Sequence, residues 1–163
     1  MAAIARSKVD LGVLLEPGVT ESLTLSPESV ILADTRSIEG VKRIFNSDTY
    51  PSAVVYATER WLREDSESAR HMARAIRRAL QWIQGHSPEQ IVEKVPAELR
   101  GSDSTLYIRA LRQSLATFSP DGLMSQDGAE AVRKVLAVSI AKVRNANFDI
   151  ATTYTNGYLR MSQ

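Results

Sequence analysis

The chain has 163 residues, of which 44% are hydrophobic and 24% charged, a composition and length that suit one globular domain able to bury about two thirds of its unfolded surface. The absence of cysteine excludes disulfides, thiolate nucleophiles and zinc sites built on sulfur. Twenty basic and nineteen acidic residues leave a formal charge of +1, so no overall field draws the chain to nucleic acid or anionic lipid.

The opening MAAIARSKVDLGVLL does not read as a secretory signal peptide. Arg6, Lys8 and Asp10 break its apolar stretch, and no small-residue cleavage site follows. No apolar run approaches the roughly 18 residues of a membrane span. Ala2 to Lys8 reads as the last turns of a helix, so the chain is expected to open inside an αβ unit.

Residues 9–15, VDLGVLL, and 29–34, SVILAD, have the short, β-branched character of buried strands. Pro17, Gly18 and Pro27 punctuate the interval, with a helical turn at Val19 to Leu23. Thr35 to Phe45 reads as helix or loop around Gly40. A third strand is expected at Ala53 to Ala57, entered through Tyr50-Pro51.

The period then changes. Ser66 to Gln84 places Ala69, Met72, Ala73, Ile76, Ala79, Leu80 and Ile83 on one helical face, capped by Asp65 or Ser66 and stopped by Gly85. Ser87-Pro88-Glu89 starts a short helix with proline at its first position. Asp103 to Phe118 and Ser125 to Val143 repeat the helical period around the turn Ser119-Pro120-Asp121-Gly122. A further short helix is expected around Thr152 to Met161. Three strands do not make a covered parallel sheet unaided, because both faces and both edges need partners. The remaining strands are therefore expected from elsewhere.

The residue types with chemistry in them read mostly as structure. His71 lies on the polar side of the long helix and His86 just past its end, where the dipole favours a cation; their spacing suggests no metal pair. No serine lies in G-x-S-x-G, and no glycine-rich phosphate loop occurs. Arg70, Arg74, Arg77 and Arg78 suit a solvated helix face better than a recognition helix, so no nucleic-acid partner is expected. Trp61 and Trp82 read as packing residues. Glu16-Pro17 stands apart. It ends an apolar strand, the place where open α/β sheets gather ligand groups, although a polar loop residue fits equally well.

Taken in order, VDLGVLLEPGVT, SVILADTR, TYPSAVVYATERWL, ARAIRRALQWIQGHSPEQIVEKVP, FSPDGLMSQDGAEAV and DIATTYTNGYL resemble the nitrate/sulfonate/taurine branch of ABC-transporter substrate-binding proteins, which includes thiamine-precursor receptors. The resemblance implies the C-terminal half of a periplasmic receptor of about twice this length. The implied fold is α/β, a partial type II periplasmic-binding-protein fold with few N-terminal strands and a helix-rich C-terminal part. Residues 1–48 would be a remnant of the second lobe and crossover, and residues 49–163 the C-terminal part of the first lobe. The implied ligand-binding residues are Glu16 and Pro17 at the cleft, with Tyr50, Pro51 and Ser52 at the hinge or ligand. The implied partners are a small-molecule solute, the ABC permease subunits and either the missing N-terminal half or a second copy. No cofactor, metal or catalytic residue is implied. The same fold resembles desulfinases and pyrimidine-precursor synthases, which makes a fragment of such an enzyme the alternative.

Overall fold

The computed structural model describes residues 2–101 and 103–159. In chain order the helices are α1 (Ala2–Ala5), α2 (Gly18–Leu25), α3 (Ile38–Phe45), α4 (Glu59–Glu64), α5 (Ser66–Gln84), α6 (Pro88–Lys94), α7 (Ala97–Arg100), α8 (Ser104–Ser114), α9 (Gln126–Ser139) and α10 (Ala141–Asn145), with single 3-10 turns at Leu115–Thr117 and Ile150–Thr153. No strand occurs among the described residues. The expected α/β class, with its partial type II periplasmic-binding-protein fold and N-terminal strands, is therefore corrected to all-α.

The reason lies in what a strand is. Residues 9–15, 29–34 and 53–57 have β-forming side chains, but that preference expresses fit to a pleated, half-covered surface and not an intrinsic backbone state. Without a neighbouring ladder the segments remain irregular. Among the described residues, the amides of residues 9–14 and 53–57 donate no hydrogen bond. Their apolar side chains face solvent: Val13 is 96% exposed and Tyr56 91%.

Local chemistry sets the helix boundaries well. Ser87 accepts from Gln90 N while the Gln90 side chain accepts from Ser87 N, a capping box with Pro88 at the first helical position. Thr58, Asp103 and Ser125 each cap the helix that follows by accepting a backbone N–H. Helix α5 spans the expected Ser66–Gln84. Asp65 accepts from Ser68 N at its start, and bonding to Ser68 holds the carboxyl below its usual range. The predicted helix from Ser125 to Val143 is interrupted at Ile140, whose N–H closes the last turn onto Leu136 O while α10 begins anew. The final expected helix is a 3-10 turn at Ile150–Thr153, and its far end at Arg160 and Met161 lies outside the described residues.

The chain divides into two units, residues 1–37 with 85–118 and residues 38–84 with 119–163. In the first, α8 packs against α6 and α2. Its core is Ile91, Val92, Ala110 and Leu111, with Thr20, Ser22 and Ser26 of the α2 region buried beside them. Arg109 donates to Thr24 Oγ1 at 2.8 Å, and Arg112 pairs with Glu89.

In the second unit, α9 packs on α10 and on the 3-10 turn, and α4 on α5. Val41, Ala69, Ala129, Ala131 and Ile150 are its buried apolar residues. Asn156 closes the C-terminal loop by accepting from Met124 N at 3.0 Å and donating to Met124 O at 2.9 Å. Arg77 of α5 donates to Leu159 O.

Two measurements check this account. Ile91→Ala, at a buried position, lowers unfolding free energy by about 2 kcal/mol in urea titrations, whereas Ser87→Ala removes only the cap and lowers it by about 1 kcal/mol. The Asp65 carboxyl is held low by its bonds to Ser68. Its support of α5 is complete above about pH 4, the ordinary aspartate value, and fades as acid titrates through the lower folded value; Asp65→Asn removes that part of the acid dependence of α5 helicity.

Candidate functional site

The expected ligand residues fall in two places, one in each unit. In the first unit, Glu16 stands at the turn into α2, behind a cis Glu16–Pro17 peptide. Both carboxylate oxygens are engaged. Oε2 accepts from Thr20 N at 3.1 Å, and Oε1 accepts from Thr20 Oγ1 at 3.1 Å and from Arg36 Nη1 at 2.6 Å. A carboxylate offers about four lone-pair sites, so little acceptor capacity remains.

Arg36 is the centre of this cluster. Its Nε and Nη2 fork onto the two oxygens of Asp34 at 2.9 and 2.7 Å, and its backbone N–H donates to Asp34 Oδ1. Side-chain exposure is 18% for Arg36 and 12% for Glu16. The hydrogen bond to Asp34, and then that to Glu16, raises the guanidinium pKa further, against the opposing pull of desolvation. The planar fork suits this bidentate pairing in a way lysine does not. The geometry makes Glu16 an anchor between the start of α2 and the Asp34–Arg36 turn. Pro17 is exposed and carries no polar group toward a ligand.

In the second unit, Tyr50 stacks on Phe45, with ring centroids 3.9 Å apart at 17°. Pro51 lies against the first turn of α9: a Cβ on Gly128 would meet Ser125 Oγ at 3.0 Å, Pro51 Cδ at 3.1 Å and Thr49 Cγ2 at 3.2 Å. Ser52 is exposed. Beside this segment a shallow polar groove runs between residues 45–49 and α9, lined by Ser47, Asp48, Asp127, Glu130 and Lys134 among others. Two of its four charged residues are in ion pairs, Asp48 with Lys42 at 2.9 Å and Glu130 with Arg133 at 2.8 Å. Among the described residues no three His, Cys, Asp or Glu side chains gather as metal ligands.

The structure thus groups Glu16 with Thr20, Asp34 and Arg36, and groups Tyr50 and Pro51 with Phe45 and Gly128. Reading the sequence singled out Glu16 but not its partners. The signal available was the D-T-R triplet at 34–36, where two-residue spacing lets the arginine fold back on the aspartate.

Three substitutions test these arrangements. Arg36→Met leaves Glu16 and Asp34 without their cation in a half-buried turn and lowers stability by about 2 kcal/mol, between the values for exposed and buried pairs; Arg36→Lys recovers only part of it. Gly128→Val forces its β-branched side chain onto Pro51 and Thr49 and lowers stability by about 1–3 kcal/mol, read as a fall in the midpoint of thermal or urea unfolding.

No family model and no curated protein matches the chain. A solved structure of a protein from Bordetella bronchiseptica RB50 is similar to it, with a TM-score of 0.74 and 29% sequence identity over 88% of this chain. The match covers 45% of the Bordetella protein, so this chain spans less than half of that protein's length.

Proposed function

We propose that the chain is the C-terminal portion of the solute-binding component of an ABC importer, serving nitrate, a sulfonate, taurine or a related small solute. The reading draws on six sequence segments that follow one another as they do in that receptor branch. The structural observation that carries it is the uncovered apolar chain at residues 9–15, 30–32 and 53–56, where Leu15 is 84%, Val30 78% and Leu32 76% exposed. Single exposed apolar residues are ordinary, but exposed ones clustered on three segments, alternate along 9–15 and consecutive at 30–32 and 53–56, are the mark of surface that another polypeptide covers. The greater length of the Bordetella protein supports a longer parent of the same kind.

In this reading the rest of a periplasmic receptor, or a second copy of the chain, lies over those segments, and the complete receptor docks on the permease subunits. Tyr50 and Ser52 supply hydroxyl groups to the solute, Pro51 shapes the segment that carries them, and Glu16 and Pro17 hold the turn at the other site. Affinity comes from a few hydrogen bonds in a closing cleft, without a catalytic step.

The test joins the chain to the part of the Bordetella protein outside the match and screens nitrate, alkanesulfonates, taurine and pyrimidines by thermal shift. The expected result is a rise in Tm of several degrees with one solute class, reduced by Tyr50→Phe or Ser52→Ala. Stabilisation by none of them, or turnover of a sulfinate, overturns the receptor reading. Hydrogen exchange on the chain alone is expected to show residues 10–14 and 53–57 at nearly unprotected rates; strong protection there removes the observation on which the proposal stands.

A further inference from the structure

We draw no further inference here: the strongest candidate, the uncovered apolar segment of residues 9–15 that runs beside Ile4 in the first unit, is an unpartnered face and nothing in the structure shows what covers it.

Discussion

The close approach of α8 to α2 and α6 is the constraint on which the first unit depends. Ala110 of α8 is 2% exposed and Val92 of α6 equally buried, so the most buried positions on these packed helices carry a small side chain and a compact β-branched one. Small residues at a crossing let backbones approach, and the hydroxyl of Thr20, buried beside it, is satisfied by donating to Glu16 Oε1. Arg109 and Arg112 span the rim of the same contact, toward Thr24 and Glu89.

The second unit solves the same problem with glycine and alanine. Gly128, Ala129 and Ala131 form the buried start of α9, and Pro51 and Thr49 settle into the space a side chain at Gly128 would fill. Tyr50 is fixed from the other side by its stack on Phe45. The segment that holds three of the expected ligand residues is therefore positioned by packing at its start and left open at Ser52 and beyond. Such an arrangement, anchored at one end and accessible at the other, suits a binding segment.

The Arg36 cluster does for the first unit's loops what packing does for its helices. Residues 9–15 and 26–37 hold little regular structure, yet one guanidinium joins Glu16 to Asp34. Its charge makes the carboxylates of that turn compatible with partial burial, since each would otherwise lose hydration without a counter-ion. Glu16 is thus tied up by its neighbours, and its place at the end of an apolar run has a structural cause.

The helical half of the architecture was legible in the residues themselves. Helix α5 shows its start in Asp65 and its course in its apolar stripe, although the left-handed stop expected at Gly85 is absent, since Gly85 takes no positive φ. Helix α6 shows its start in Ser87-Pro88. Both are legible because capping and periodicity act within a few residues of chain. The same holds for the turn at Ser119–Gly122, where Gly122 takes a positive φ of 77°. The apolar runs at 9–15, 29–34 and 53–57 were another matter. Their composition specified an affinity for a ladder, but a ladder needs a second strand at a fixed register, and no local preference supplies one. Likewise Glu16 was visible as a carboxylate after an apolar run, whereas its pairing with an arginine twenty residues away was not, since that contact exists only once the intervening loop has closed. The sequence alone determined the span of α5 and the starts of α6, α8 and α9; the tertiary structure decided which side chains meet across loops and which apolar segments go without a neighbour, because both depend on contacts between residues distant along the chain.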